Sequence, residues 1–176
     1  MPIIRITLYD YPLQKGSIFD NLLGSSLDLL RRAQEEAVSL NQHCVTSLHL
    51  LLALYHSPPI KEFLETKGLA DKSVRRALAH SLECKEEVKY PDAIPPGCTL
   101  PISDRLLKAI IKAACVAMEA ERRRYVQPED LLIGLLEEGT NEAASLLISS
   151  GISLHKVYNY FQYPQGRVWY RLKRWL

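Results

Sequence analysis

A chain of 176 residues that is 47% hydrophobic and 24% charged has the size and composition of one compact domain with its own core, not of a disordered or fibrous protein. Its formal charge of +2 is unevenly spread: no Asp or Glu follows Glu142, whereas Lys156, Arg167, Arg171, Lys173 and Arg174 are all basic. Four cysteines without CxxC spacing, and no paired histidines at zinc-ligand distance, argue against a disulfide framework or a zinc site, and free thiols in a reducing compartment are expected.

The segment from Ile3 to Tyr9 alternates apolar and polar residues with the period of a half-buried strand, and so does the segment from Arg167 to Lys173. A lone strand leaves its backbone groups unpaired, so the two are expected to pair as a small two-stranded ribbon, the alternative being two loosely packed tails. The N-terminus has neither the long apolar core nor the cleavage site of a signal peptide, and no apolar run approaches the ~18 residues of a membrane span. A cytoplasmic protein is expected, or a plastid stromal one whose transit peptide has been removed.

Ser17 or Asp20 is expected to cap a first long helix, whose face Leu23, Leu27, Leu30, Ala33, Ala37 and Leu40 keeps the 3.6-residue period. After the loop Asn41–His43, Ser47 reads as the N-cap of a second helix through Tyr55. Pro58 and Pro59 end that helix and open a third, which runs from about Ile60 to Thr66 and is closed by Gly68. Asp71 is expected to cap a fourth helix with Val74, Ala77, Leu78 and Leu82 on its inner face. The proline-rich stretch 83–101 is an irregular connection. Beyond it, Ser103 or Asp104 caps a long helix with Leu106, Ile110, Ala113, Ala117 and Ala120 inside. Three shorter helices follow: Pro128 to about Glu138, Asn141 to Ser150, and Leu154 to Phe161.

These elements repeat. Thr46-Ser47-Leu48-His49-Leu50-Leu51-Leu52-Ala53-Leu54 returns 81 residues later as Gln127-Pro128-Glu129-Asp130-Leu131-Leu132-Ile133-Gly134-Leu135. Phe63-Leu64, Gly68-Leu69 and Val74 return 83 residues later as Leu146-Leu147, Gly151-Ile152 and Val157. A tandem duplication of a four-helix unit is therefore expected: an all-α, pseudo-two-fold bundle of eight helices. Its expected parts are an N-terminal extension (1–16), a first repeat (17–82), a linker (83–101), a second repeat (102–162) and a basic aromatic C-terminal extension (163–176).

A long helix carrying Ala33-Gln34-Glu35-Glu36-Ala37, a short loop, a helix start of the type Thr-Glu-His-Leu-Leu-Leu and a Gly-Leu cap together resemble the Clp N-terminal repeat. In the AAA+ unfoldases ClpA, ClpB and ClpC this double repeat is the domain that receives adaptors and substrates. The resemblance covers about Leu22 to Phe161. The sequence has no Gly-x-x-x-x-Gly-Lys-Ser/Thr phosphate loop, so no nucleotide cofactor is expected. The likeness extends to free-standing plastid ClpT accessory proteins. It implies a non-catalytic adaptor or accessory factor that binds Clp protease core subunits, AAA+ unfoldase subunits or their substrates. It also implies that a Glu in the Thr-Glu-His stretch of each repeat contributes to a site for phosphorylated arginine. The first repeat has Leu48 at that position, and the second keeps Glu129 but has Pro128 and Asp130 beside it. A guanidinium needs a charged acceptor, so that activity is not carried over to this chain.

No activated nucleophile, acid–base pair or metal cluster can be read from the residues, and no enzymatic activity is expected. His43, Cys44 and His49 lack a fourth ligand, and Arg122 to Arg124 read as the solvated end of a helix. The aromatic residues Tyr158, Tyr160, Phe161, Tyr163, Trp169, Tyr170 and Trp175 crowd the C-terminal part, interleaved with Arg and Lys. That mixture suits a protein interface, stacking on single-stranded nucleic acid, or a membrane surface, and part of it serves packing. The expected partner-binding positions are Leu48, Glu129, Trp169, Tyr170, Arg171, Arg174 and Trp175. The alternative is a nucleic-acid-binding protein that uses Arg122 to Arg124 and the basic tail.

Overall fold

The computed structural model describes residues 18–22, 24–85, 89, 93–120 and 123–163. Within them lie eight α-helices and no strand: α1 (Ser25–Ser39), α2 (Ser47–Leu54), α3 (Pro58–Thr66), α4 (Asp71–Ala79), α5 (Asp104–Ala120), α6 (Pro128–Glu138), α7 (Glu142–Ser149) and α8 (Leu154–Tyr160). The first four and the last four follow one another in the same order and correspond to the two sequence repeats. Both segments of the expected ribbon fall outside the described residues.

The recurring sequence stretch forms the centre. Every residue of α2 is buried, as are Pro128 and Asp130 to Leu136 of α6. A helix that is apolar all round belongs inside, and these two are enclosed by the amphipathic helices α1, α4, α5 and α7. Gly134 lets α6 lie close against the backbone of α5. A Cβ there would stand 2.3 Å from the Ala109 carbonyl oxygen and 2.8 Å from Ala113 Cβ. The small residues that α5 turns inward, Ala109, Ala113 and Ala117, are what allow that approach.

The repeats are crossed. The stretch leading into α5 runs beside the loop before α2, where Val45 donates its N–H to Pro101 O and Ser103 donates to Val45 O, both at 2.8 Å. Reciprocally, the stretch leading into α1 runs beside the loop before α6: Val126 donates to Asn21 O at 2.9 Å, and Ser26 Oγ donates to Val126 O at 2.7 Å. Each repeat therefore supplies the lead-in that completes the other.

Several helix starts differ from the sequence reading. Asp20 lies in a 3-10 turn (Ile18–Asn21), and α1 begins after Gly24. Leu40, expected on the inner face, is past the helix end and 48% exposed. The N-cap of α2 is Thr46, one residue before Ser47. Both can cap, but at Thr46 the third helical residue, His49, returns a bond to the cap N–H. Ala70, not Asp71, precedes α4, and the Asp71 carboxylate sits in the first turn, where the helix dipole favours it. Leu82, expected on the fourth helix, lies past the end of α4 and is 64% exposed. Other ends match the reading: Asn141 Oδ1 accepts from Ala144 N at 2.8 Å, Ser103 Oγ accepts from Leu106 N at 3.2 Å, and Gly68 and Gly151 take the left-handed conformation after α3 and α7.

The connection between the repeats is held at both ends by buried polar side chains. Gln34, on the inner side of α1, accepts through Oε1 from Thr99 N and Leu100 N and donates through Nε2 to Thr99 Oγ1. Glu83, buried in a 3-10 turn (Glu83–Lys85), accepts from Ser47 N, Ser47 Oγ and Ser103 Oγ. Glu142, at the start of α7, accepts from Leu82 N, Glu83 N and Ser81 Oγ. An amide oxygen at one end and carboxylates at the other thus satisfy backbone donors, among them the buried Ser47 N–H.

Candidate partner-binding surface

In the second repeat the start of α6 is built around Asp130, which is fully buried. Its Oδ2 accepts the N-cap N–H of Gln127 at 2.7 Å and Arg123 Nη1 at 2.9 Å. Its Oδ1 accepts Arg123 Nη2 at 3.0 Å and the Tyr163 hydroxyl at 2.6 Å. The Arg123 fork also reaches Tyr163 Oη at 3.1 Å. One carboxylate thus joins the α5–α6 loop, the start of α6 and the chain beyond α8. Burial opposes the charge of Arg123, but the hydrogen bond and the field of Asp130 outweigh it and raise the guanidinium pKa above its ordinary value. Burial first, then the charge of Asp130, pushes the Tyr163 phenol well up, so it stays a donor.

Glu129, beside Asp130 in the first turn, is half-buried. Tyr125, in the loop before α6, is exposed, with the Arg124 guanidinium 5.6 Å from its ring centre. Arg123, read from the sequence as part of a solvated helix end, is instead committed to Asp130; Arg122 lies outside the described residues.

In the first repeat the equivalent helix start is closed from within. His49 takes the place of Asp130 and accepts the Thr46 N–H through Nδ1 at 3.0 Å. That bond assigns the ring proton to Nε2, which is buried and has no hydrogen-bond partner among the described residues. Desolvation lowers the His49 pKa to about 4, with the charge of Glu36 acting weakly the other way. Leu48 is 1% exposed and belongs to the core, so its side chain offers no surface to a partner in this structure. Ser47, the first helical residue, has both its N–H and its hydroxyl turned to Glu83.

The aromatic residues from the end of α8 to Tyr163 do structural work. Tyr160 and Phe161 lie with ring centres 4.8 and 5.6 Å from that of Phe63 on α3, joining the end of the second repeat to the first. Tyr158 donates to Glu137 Oε1 at 3.1 Å and packs 6.0 Å from Tyr163. Tyr160 remains 42% exposed. Trp169, Tyr170, Arg171, Arg174 and Trp175 lie outside the described residues. Sequence reasoning missed Gln34, Glu83 and the joint role of Asp130 and Arg123. Only the last left a local signal, an acidic residue three after a helix cap. Among the described residues no three His, Cys, Asp or Glu side chains group as a metal site, and no helix is long and apolar enough to cross a membrane.

The family model of the Clp repeat (R) N-terminal domain matches residues 25–150. The Bacillus subtilis (strain 168) protein described as "Negative regulator of genetic competence ClpC/MecB" is 29% identical over 131 residues, 73% of this chain and 15% of that protein. The chaperone protein ClpB of Oceanobacillus iheyensis is 28% identical over 130 residues, again 73% of this chain and 15% of that protein. The chain thus spans about 15% of the length of these curated relatives. Among solved structures, the N-terminal domain of ClpD from Arabidopsis thaliana superposes with a TM-score of 0.58 at 20% identity, covering 84% of this chain and 96% of that one. The Hsp104 N-terminal domain from Candida albicans superposes at 0.58 with 18% identity, covering 80% and 88%. A crossed, eight-helix double repeat matched over most of its length by this family model makes the chain a member of the Clp repeat N-terminal domain family.

Proposed function

We propose that this chain is a non-catalytic adaptor or accessory protein of a Clp protease or chaperone system, binding Clp subunits or their substrates. The observation that carries this reading is the complete double repeat: both halves of the family fold are present and tied together, while the sequence holds no phosphate loop. A solved relative of the same fold, the ClpV N-domain, is in complex with a VipB peptide, so a domain of this shape serves peptide binding in at least one protein.

In this reading the chain acts as one domain of two repeats, 17–82 and 102–162, with the linker 83–101 and the extensions 1–16 and 163–176. Glu129 is the retained surface carboxylate of the second repeat. Trp169, Tyr170, Arg171, Arg174 and Trp175 form an aromatic and basic docking element. Leu48 contributes from the core, by holding α2 in place.

The test is capture of Clp protease and unfoldase subunits from native lysate by the full chain and by a full-length variant with Trp169→Ala and Trp175→Ala. Recovery by the first and loss by the second supports the adaptor reading. Recovery of no Clp subunit by either overturns it. Of the residues first assigned to it, the nucleic-acid reading loses Arg123 to Asp130 and keeps the exposed Arg124, while Arg122 and the tail lie outside the described residues. It requires affinity that falls steeply with salt.

A further inference from the structure

The duplication allows the outward faces of α1 and α5 to be compared residue by residue. Leu22 and Ile102 hold the same place in the two crossed lead-ins, each beside a valine of the other repeat. That register aligns the buried Leu30, Ala33 and Ala37 of α1 with the buried Ile110, Ala113 and Ala117 of α5. On the opposite side it aligns Asp28, Arg31, Arg32 and Glu35 with Lys108, Ile111, Lys112 and Cys115. The α1 set is exposed and neutralises itself, being two acids and two bases with Arg31 Nη1 3.2 Å from Asp28. The α5 set has both bases but neither acid, and apolar side chains stand among the lysines.

Positions 108, 111, 112, 115 and 118 fall on one stripe of a 3.6-residue helix, so Met118 continues the apolar part by a further turn. Lys108 is exposed, and Ile111, Lys112, Cys115 and Met118 are half-buried. From Arg105 to Met118 the helix has three basic residues and no acidic one. Neither Lys108 nor Lys112 has an ion pair among the described residues. The carboxylates around the first turn of α5 are already engaged. Asp104 accepts from Lys89 N at 3.1 Å; Arg105 donates to Thr140 O, and there Glu138 accepts from Thr140 N and Asn141 N.

We propose that the outward face of α5 is a docking surface for an acidic amphipathic helix of a partner protein. The partner's apolar stripe covers Ile111, Cys115 and Met118, and its Asp or Glu residues meet Lys108 and Lys112. Charge and chemistry select this occupant. The same face of a second copy is repelled by its own lysines, and nucleic acid finds no aromatic ring on the stripe to stack on. The stripe from Lys108 to Met118 is about 15 Å long, so about three turns of a partner helix cover it. The inference goes beyond the adaptor reading and does not require the partner to be a Clp component.

It is tested in the full chain with two synthetic, helix-stapled peptides of about 16 residues that share a stripe of leucines, flanked by Glu in one and by Lys in the other. Fluorescence anisotropy is expected to show the Glu peptide binding at least about tenfold more tightly, with a preference that shrinks between about 50 and 300 mM salt. Lys108→Glu/Lys112→Glu is expected to reverse the preference. Arg31→Glu/Arg32→Glu changes the net charge equally on the matching face of α1 and is expected to leave the preference within about twofold. No binding of the Glu peptide, a preference that does not reverse, or equal shifts in the two variants overturns the proposal. Tighter binding of a single-stranded oligonucleotide, or self-association abolished by Lys108→Glu/Lys112→Glu, overturns it in favour of nucleic acid or a second copy. Capture of Clp subunits is not a readout of this experiment, so its failure and the failure of the adaptor reading are told apart.

Discussion

His49 and Asp130 occupy the same position in the two repeats and make the same bond with different chemistry: each accepts the backbone N–H of the residue that caps its helix, at 3.0 Å and 2.7 Å. Asp130 is a carboxylate and needs a cation inside the protein, which Arg123 supplies. His49 can serve only as a neutral ring, which the apolar surroundings enforce.

That neutrality makes stability depend on pH. In the unfolded chain a histidine binds a proton near its ordinary value of about 6.5, whereas folded His49 does so only near pH 4. Between these values the unfolded state holds more protons. The stabilisation is thus complete above about 6.5 and is lost as pH falls towards 4, by up to about 1.4 kcal/mol per unit. Urea denaturation from pH 7.5 to 4.5 in the unaltered chain and in His49→Gln checks this. The variant is expected to be less stable at pH 7.5 and to have a shallower decline.

Gly134 and Ala53 hold the same slot in α6 and α2, yet exchanging them is expected to be asymmetric. Gly134→Ala pushes a methyl group into the backbone of α5 and is expected to cost about 3 kcal/mol, because the obstacle is a carbonyl oxygen and not a flexible side chain. Ala53→Gly is expected to cost about 1 kcal/mol, the usual helix penalty. Thermal melts of both variants decide it.

Two ion pairs that look alike in sequence should differ several-fold in worth. Arg75 forks onto Glu36 at 3.1 and 3.2 Å at the surface, and Arg75→Ala is expected to cost under about 1 kcal/mol, less in high salt. Arg123→Ala leaves the Asp130 carboxylate buried without its cation and is expected to cost about 3 to 5 kcal/mol, little changed by salt. Denaturation at two ionic strengths separates them.

Glu83→Ala removes the acceptor of Ser47 N, Ser47 Oγ and Ser103 Oγ together, so three buried donors lose their partner. The expected loss is about 3 kcal/mol or more, with Glu83→Gln intermediate because it keeps one oxygen. Equilibrium unfolding of the two variants tests the order.

The eight helices were legible because each apolar face keeps the helical period and because the pattern occurs twice, each copy supporting the reading of the other. Starts were read less well where two capping residues stand side by side: nothing in Thr46-Ser47 says which one His49 will answer. The burial of Leu48 follows from α2 being apolar on every side, a property visible in the sequence once the helix is placed at the centre. Glu83 and Gln34 left no signal, because their partners lie 20 to 66 residues away and only the crossing of the repeats brings them near. Arg123 was hidden among three arginines that, by composition alone, belong to solvent.

The exchange of lead-ins through Val45 and Val126 also bears on how such a gene can change. A duplication normally yields two units that can drift, be lost or be recombined separately. Here a copy moved elsewhere would leave behind the segment that completes it and would carry away one that its former neighbour needs. The pair is expected to persist only as a single unit, and substitutions in Asn21 or Pro101 are expected to register at the helix start across the molecule with which each is bonded, that of α6 or of α2.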